Sequence, residues 1–324
     1  MEGTPIPTRS PPLLALLLVA VLGCTAQPSA GAPTVTATPL FTTRPAPSRV
    51  GELELLGAYE LRSAESSFGG ISSARRQGDT LYLLSDRSTL FEVAWPEAGL
   101  GGPGASLPLR AAHPLTTFHG DPLDAEALAL VAGGAVLVGD ESDGRVLRYA
   151  GPGGPREGKP LRLPRAFAEG GVLNRGLETL ATVPDLGLVA ILEGSVADDA
   201  LHPAALVDAD GGQLSFFYRA ADGFQVTDAD AAGDWLLVLE RSLSLFGGWR
   251  SRIVAIPLAD LDPARGEPVA GRELATVSGA ELGENYEGLA ARADPDGSVA
   301  IILVSDDNFT GIQRTQLLEL RWRP

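Results

Sequence analysis

Acidic residues mark both ends of a repeated pair of apolar segments, and they are the residues in this chain best suited to chemistry. One set opens the first segment of a pair: Glu126, Glu178, Asp228 and Glu287. A second set closes the second segment: Asp86, Asp140, Glu141, Glu193, Glu240, Asp306 and Asp307. If the two segments are antiparallel neighbours, the start of one and the end of the other lie on the same side of a sheet. The pattern therefore predicts that these carboxylates gather at one place.

Crowded carboxylates repel one another unless cations, arginines or bound protons neutralise them. An oxygen-rich site suits a hard cation, and Ca²⁺ accepts the irregular geometry that loops offer. The chain has only three His and one Cys, which argues against a zinc or copper site. The predicted calcium ligands are Glu126, Asp140, Glu178, Glu193, Asp228, Glu240, Glu287 and Asp306.

Arginines accompany the acidic positions: Arg87, Arg175, Arg241 and Arg314. They could simply pair with the carboxylates. Alternatively, they could hold an anionic substrate against a bound metal, since phosphoester chemistry needs charge neutralisation and an activated water. On this second interpretation Glu287, Arg241 and Arg87 are the candidate catalytic residues.

The elements that would position these residues recur about every 50–60 residues, a period typical of β-propeller blades. The first segments of the repeat are G-G-I-S-S-A (69–74), E-A-L-A-L-V (126–131), E-T-L-A-T-V (178–183), D-A-D-A-A-G (228–233) and E-G-L-A-A-R (287–292). A second apolar strand follows each of them, and a third strand generally comes next. Four-stranded units of this kind favour an all-β propeller over a pair of β-sandwiches.

The count favours five blades, and six would result if a degenerate blade lay within 140–175 or 193–226. After Trp322 the last unit has no room for a fourth strand. The segment E-L-E-L-L-G-A-Y-E-L (52–61) precedes the first unit and belongs to none. We therefore expect this N-terminal strand to complete the last blade and close the ring.

The N-terminus has the features of an export signal over residues 1–23. Its apolar run, Leu13 to Leu22, is too short to span a bilayer but suits a signal peptide. The run leads into V-L-G-C, which predicts a lipoprotein that is cleaved before Cys24 and lipidated there. An ordinary signal peptide cleaved later is the alternative. Residues 24–49 are rich in Pro, Thr and Ala and predict a tether, so the folded domain is expected over 50–324.

The net charge of −16 argues against binding to nucleic acid, because phosphate backbones recruit basic residues. The expected location is the bacterial cell envelope, facing the periplasm or the surface. Contact with the membrane is expected through the lipid anchor only. Diacylation with N-acylation would anchor the protein stably, because stable anchoring needs more than one acyl chain.

Several motifs together resemble the bacterial phytase-like proteins, a family described by an esterase-like activity of phytase. In order they are F-G-G-I-S with L-L-S-D-R, D-A-E-A-L with V-G-D-E, N-R-G-L-E-T-L, L-L-V-L-E-R, and N-Y-E-G-L-A with S-D-D-N-F-T-G-I-Q-R-T-Q-L-L, over residues 68–322. The resemblance implies an exported β-propeller, named by analogy with calcium-dependent propeller phytases. The chain departs from the pattern at Gly69 and Gly70, which replace an acidic start, and at D-A-D (228–230), which replaces E-G-L.

Three functions follow as hypotheses. The first is a calcium-dependent hydrolase that acts on a small anionic ester or phosphoester at the acidic mouth. The second is a non-catalytic surface module that calcium stabilises and whose other faces bind a partner. The third is a sugar-lactone hydrolase, since lactonase propellers also use a channel metal held by Glu, Asn and Asp. Fold alone does not separate these three.

Overall fold

The computed structural model describes residues 33–43, 45–100, 104–142, 144–151, 157–161, 176–194, 200–208, 213–262 and 266–324. Three strands precede the first repeat: β1 (Thr34–Pro39), β2 (Arg49–Val50) and β3 (Leu53–Ser63). Blade 1 consists of β4 (Ile71–Gln77), β5 (Thr80–Ser85), β6 (Thr89–Ala94) and β7 (Ala105–Pro114). Blade 2 consists of β8 (Ala125–Val131), β9 (Ala135–Asp140), β10 (Arg145–Tyr149) and β11 (Lys159–Leu161). Blade 3 consists of β12 (Thr179–Val183), β13 (Gly187–Ile191), β14 (Leu201–Val207) and β15 (Gln213–Arg219). Blade 4 consists of β16 (Gln225–Ala232), β17 (Trp235–Ser244), β18 (Gly248–Pro257) and β19 (Arg272–Ser278), with a 3₁₀ turn at Leu258–Asp260. The last repeat supplies β20 (Tyr286–Ala293), β21 (Val299–Ser305) and β22 (Gln316–Trp322).

The first strand of every blade lines the centre of a closed ring. Strand β4 contacts β8, β8 contacts β12, and β12 contacts β16; β16 then contacts β20, and β20 contacts β4. Because these five inner strands close on themselves, the described strands leave no gap for a sixth blade. The structure confirms the predicted all-β propeller with five blades.

Strand β3 closes the ring, as the sequence predicts for segment 52–61. It pairs antiparallel with β22 and so becomes the fourth, outermost strand of blade 5. Tyr59 lies opposite Leu317, and Leu55 lies opposite Leu320. One blade is therefore built from both ends of the folded chain, which ties the first blade to the last.

The burial of the strands explains their composition. Every residue of β5 and β9 is buried, because neighbouring strands flank them and adjacent blades cover both faces of the sheet. Their sequences are accordingly almost continuous apolar runs. The outer strand β15 alternates from Phe216 onward, with Phe216 and Tyr218 buried and Phe217 exposed between them. The ends of the second strands are thus held by the best-packed part of each blade.

The predicted tether needs a correction, because part of it folds. Strand β1 pairs with β3 on one side and with β7 on the other, and so joins the outer edges of blades 5 and 1. In T-V-T-A-T the side chains alternate, and Val35 and Ala37 are buried against the blades. The folded domain therefore begins before residue 50. Composition predicted a tether, but the period-two pattern and the two free sheet edges decide the structure.

We expect Val35→Asp to lower the melting temperature, whereas Thr36→Asp should leave it nearly unchanged. Val35 is fully buried and Thr36, its neighbour, points to solvent. Burying an unpaired charge at a cost of roughly 2 kcal/mol corresponds to a decrease of about 4–8 °C. Thermal unfolding followed by circular dichroism measures both variants. Equal melting temperatures for the two variants would mean that residues 34–39 are not part of the folded domain.

Candidate functional site

Two groups of carboxylates lie side by side at one mouth of the central channel. Asp124 and Glu126 flank the start of β8, and Glu141 follows the end of β9 directly. Glu178 precedes β12 and Glu193 follows β13. Oxygen atoms of Asp124, Glu126 and Glu141 lie within 4.8 Å of one another, and so do those of Glu141, Glu178 and Glu193. Glu141 belongs to both groups, so blades 2 and 3 share one carboxylate cluster.

This carboxylate cluster carries more negative charge than its surroundings neutralise. Burial raises the pKa of Glu178 well above its usual range, and the charges of Glu193 and Glu141 raise it further, while Arg241 opposes the shift. Burial likewise raises the pKa of Glu126, with Glu178, Asp124 and Glu141 as the nearby charges. The pKa values of Glu141 and Asp124 are raised for the same reasons. Burial and mutual repulsion therefore act together against full ionisation.

Arg241 connects this cluster to blade 5. Its guanidinium donates hydrogen bonds to Glu287, to Oδ1 of Asn285 at 2.9 Å and to Oε1 of Glu193 at 3.2 Å. Asn285 in turn donates from Nδ2 to Oε1 of Glu287 at 2.9 Å. Arg241 stands at the end of the regular pairing of β16 with β17, where its side chain reaches both neighbouring blades. The sequence prediction that Arg241, Glu193, Glu287 and Asp306 meet at one mouth agrees with this placement.

Asp306 and Asp86 extend the cluster toward blade 1. Asp306 follows β21, and Asn285 Nδ2 lies 3.5 Å from its Oδ2. Burial raises the pKa of Asp306 to about 6, and the nearby Asp86 and Asp307 contribute to the increase. Burial also raises the pKa of Asp86, and Asp124 adds to that shift. Carboxylates from blades 1, 2, 3 and 5 thus surround the mouth.

Arg87 lies beside the cluster and not within it. Its guanidinium covers the ring of Phe309, 3.4 Å from the ring centroid, and the side chain is exposed. Its charge lowers the pKa of Asp86 by a small amount against the larger effect of burial. Arg314 pairs with Glu284 at 3.4 Å. Arg175 and the predicted lipidation site Cys24 lie outside the described residues.

Glu240 is not brought to the mouth, contrary to the prediction from its position at the end of a second strand. Side chains alternate along β17, so Glu240 and Arg241 point to opposite faces of the sheet. Glu240 accepts hydrogen bonds from the hydroxyl of Tyr218 at 2.6 Å and from Arg252. It is nearly fully buried between blades 3 and 4. Glu240 is therefore one member of a structural ion pair with Arg252.

Asp140 is not a member of the two carboxylate groups but bonds to the backbone next to them. Its Oδ1 accepts hydrogen bonds from the hydroxyl of Ser142 at 2.6 Å and from the backbone N–H groups of Ser142 and Asp124 at 3.2 and 3.3 Å. It is buried, and it fixes the turn after β9 against the start of β8. We assign Asp140 a positioning role for Asp124, whose pKa it raises.

Asp228 lies deeper, inside the channel, and a buried arginine that the sequence analysis missed accounts for it. Both carboxylate oxygens of Asp228 bond to the guanidinium of Arg75, at 2.8 and 2.9 Å. Arg75 also donates to the backbone carbonyls of Leu180, Ala229 and Leu289 at 2.6–2.8 Å. A single guanidinium on β4 therefore contacts β12, β16 and β20. A basic residue in the middle of a first strand, S-S-A-R, is the signal that could have identified it.

The two departures from the repeat now have physical explanations. In D-A-D the alternation directs both carboxylates toward Arg75, and Asp230 approaches its guanidinium to 3.8 Å. At Gly70, with φ of +58°, a Cβ atom would lie 2.3 Å from Oδ1 of Asp86. The Gly70 N–H donates to Oδ1 of Asp307 at 3.0 Å. Blade 1 thus lacks an acidic start because carboxylates from other strands already fill that space.

The residues at the mouth fit a hard divalent cation. All of the converging donors are carboxylate oxygens, which calcium prefers, and two groups of three oxygens have suitable mutual distances. Burial and neighbouring carboxylates raise the pKa values of Glu126 and Glu178, and a bound cation would favour the ionised form of both groups. Glu141, Glu178 and Glu193 would hold the ion, with Asp124 and Glu126 as neighbouring ligands.

We expect Glu178→Gln to weaken the dependence of the melting temperature on pH and on calcium. The folded-state pKa of Glu178 is raised, so above pH 4.5 the folded protein binds more protons than the unfolded chain. Stability without metal therefore falls as pH rises through that raised pKa. Glutamine cannot ionise, so in EGTA the variant should lose less melting temperature between pH 5 and pH 8.

Calcium should raise the melting temperature of the wild type at pH 8 by roughly 5–10 °C at a concentration about 100-fold above Kd. The increase should be smaller in Glu178→Gln and undiminished in Glu267→Gln, which changes an exposed residue. Melting curves at both pH values, with EGTA and with calcium, test both expectations. A calcium effect of equal size in all three proteins would place the binding site elsewhere.

Comparison with known protein families agrees with the family resemblance, and two solved structures show a more distant likeness. A solved structure of glutaminyl cyclase from Myxococcus xanthus is similar at a TM-score of 0.46 and 12% identity, covering 83% of this chain and 95% of that one. A bifunctional GH43-CE protein from Bacteroides eggerthii is similar at a TM-score of 0.45 and 12% identity, covering 79% of this chain and 33% of that one. No curated protein sequence matches the chain. Residues 66–309 match the family described as phytase-like, with an esterase-like activity of phytase. The chain is therefore a member of the phytase-like family.

Proposed function

We propose that this protein is a calcium-dependent hydrolase of small anionic esters or phosphoesters and that the channel mouth is its active site. The observation that carries the proposal is the position of Arg241. It hydrogen-bonds Glu193, which belongs to a three-carboxylate group, and Glu287, which does not. A cationic group that could orient an anionic substrate thus lies next to ligands for a metal.

The roles of the residues follow from their contacts. Arg241 would hold the anionic group of the substrate and neutralise charge that develops on it. Arg241 and Asn285 both donate hydrogen bonds to Glu287, which favours the ionised carboxylate as a proton acceptor for the attacking water. Bound at Glu141, Glu178 and Glu193, calcium would supply Lewis acidity toward the ester oxygen. Arg87, which is exposed beside Asp86, would contact the outer part of the substrate.

A sugar-lactone hydrolase is the second candidate, and one observation favours it. Asn285, Glu287 and Asp306 form a hydrogen-bonded Glu, Asn and Asp set at the mouth. These are the residue types that hold the channel metal in lactonase propellers. A lactone carries no negative charge, so this candidate needs Arg241 only as a partner of Glu287.

We expect Glu287→Gln to lower kcat by about 10²–10³ on whichever substrate the wild type hydrolyses, because the proton acceptor is lost. p-Nitrophenyl phosphate, p-nitrophenyl acetate and a sugar γ-lactone, each with calcium and with EGTA, separate the three hydrolytic activities. Glu267→Gln is the surface control, and an unchanged melting curve establishes that Glu287→Gln is folded. Undiminished turnover in Glu287→Gln would contradict its role. A calcium-dependent melting shift without turnover on any substrate would instead favour a non-catalytic binding module.

We further propose that the protein is exported and anchored to the bacterial envelope through Cys24. The apolar run followed by V-L-G-C supports this location. Among the described residues, none of the helices is long and apolar enough to cross a membrane.

Labelling with radioactive palmitate in a bacterial host should mark the wild type, and Cys24→Ala should lose both the label and the membrane fraction. Cys24→Ala that remains in the membrane fraction would contradict the anchor. Ala26→Ser, a nearby change, serves as the control for processing.

A further inference from the structure

The hairpin of β17 and β18 extends beyond the rest of blade 4 on the face that carries the carboxylate cluster. Strand β16 pairs with β17 only as far as Arg241, and β19 pairs with β18 only from Arg250 onward. Strands β17 and β18 nevertheless stay paired up to Ser244 and Gly248. Residues 242–249 therefore project above the blade as a two-stranded ribbon.

The projecting ribbon exposes large apolar side chains. Leu245 and Phe246 at its tip are fully exposed, and Leu243 is 62% exposed. A two-stranded ribbon is only marginally stable on its own. Apolar side chains that stay exposed to solvent do not stabilise it, and exposed apolar patches commonly mark binding surfaces. The same connection in blade 1 is the short polar turn of Asp86, Arg87 and Ser88. The apolar tip of blade 4 is thus not a requirement of the propeller fold.

One side of the ribbon adjoins the mouth. Leu243 follows Arg241 by two residues, so the two side chains leave β17 on the same face. Trp249 lies directly opposite Leu243 in the pairing and shares that face. The ring of Trp249 lies 5.4 Å from the guanidinium carbon of Arg241. The apolar ribbon is therefore continuous with the residue that links Glu193 and Glu287.

We propose that this ribbon binds the hydrocarbon part of an amphiphilic substrate whose ester or phosphoester group lies at the mouth. The substrate class is then an ester of a medium-length or long acyl or alkyl chain. This inference rests on the proposed hydrolytic function and specifies its substrate. Polar chemistry at Arg241 and apolar contact at Leu243 and Trp249 would recognise the two ends of one molecule.

The first test compares p-nitrophenyl acetate, butyrate and octanoate. In the wild type, kcat/KM should rise at least about tenfold from acetate to octanoate, equivalent to burying about two methylene groups. The triple variant Leu243→Ser, Leu245→Ser, Phe246→Ser should lose most of this ratio. The control variant Leu214→Ser, Phe217→Ser removes exposed apolar residues from the outer strand β15 and should retain the ratio. A ratio that is equal in all three proteins would overturn the proposal.

The second test measures binding without turnover, so that failure of hydrolysis and failure of this inference are distinguishable. Calorimetry in the presence of calcium compares methylphosphonate with octylphosphonate below its micelle concentration. Octylphosphonate should bind the wild type at least about tenfold more tightly, and the triple variant should lose that difference. This result would support the ribbon assignment even if the protein hydrolysed none of the esters.

A lipid bilayer could also supply hydrocarbon chains next to polar groups. Sedimentation with phosphatidylcholine vesicles distinguishes binding to a bilayer from binding of a free amphiphile. The proposal expects the triple variant to lose octylphosphonate affinity whether or not the wild type sediments with vesicles. Loss of vesicle binding with unchanged octylphosphonate affinity would overturn the proposal in favour of membrane docking. Self-association of the wild type that the triple variant abolishes, again with unchanged octylphosphonate affinity, would overturn it in favour of a contact between two copies.

Discussion

The buried contact of Arg75 with Asp228 is the interaction on which the geometry of the ring depends. Burial disfavours the charge of a guanidinium, yet the two carboxylates of Asp228 and Asp230 more than offset this and raise the pKa of Arg75. The two terminal nitrogens of Arg75 also donate to carbonyls of β12, β16 and β20, so one side chain links four inner strands. Removing one partner of such a buried pair leaves an uncompensated charge and typically costs about 3–5 kcal/mol. The pair therefore holds in register the strands whose ends form the mouth.

The same channel contains two acidic regions that differ in how their charge is balanced. Inside, Asp228 and Asp230 face a guanidinium from another blade and accept backbone N–H groups of Leu289 and Ala291. At the mouth, Arg241 is shared among Glu193, Glu287 and Asn285, while Glu126 and Glu178 repel their neighbours. Because Arg75 and backbone N–H groups compensate much of the charge of the inner carboxylates, a cation from solution would gain more by binding at the mouth.

The sequence predicted what depends on local periodicity and failed where a distant partner decides. Alternation, apolar runs and turns were sufficient for the five hairpins and for the closing strand 52–61. Antiparallel pairing was sufficient to bring Glu178, Glu193 and Glu287 to one face. Neighbouring residues of a strand point to opposite faces, and in β17 it is Arg241 that faces the mouth. Glu240, one residue earlier, therefore points away from it. Asp228 is explained by Arg75, 153 positions away along the chain, and no local pattern connects them.

The five repeated hairpins build the scaffold, and the residues that depart from the repeat are the candidates for substrate recognition. Five similar hairpins give a symmetric scaffold, and a symmetric ring of carboxylates would offer a substrate no preferred orientation. Under the proposed function, orientation would come from the features that break the repeat: one arginine where the pairing of β16 with β17 ends, one asparagine before β20, and one apolar ribbon beside them. These three lie on blades 4 and 5, whereas the grouped carboxylates lie on blades 2 and 3. Under the proposed function, the reacting group of a substrate that bridges the mouth would lie between the carboxylate groups of blades 2 and 3 and Glu287 of blade 5. The rest of the substrate would contact blades 4 and 5, as a rigid scaffold with variable loops allows.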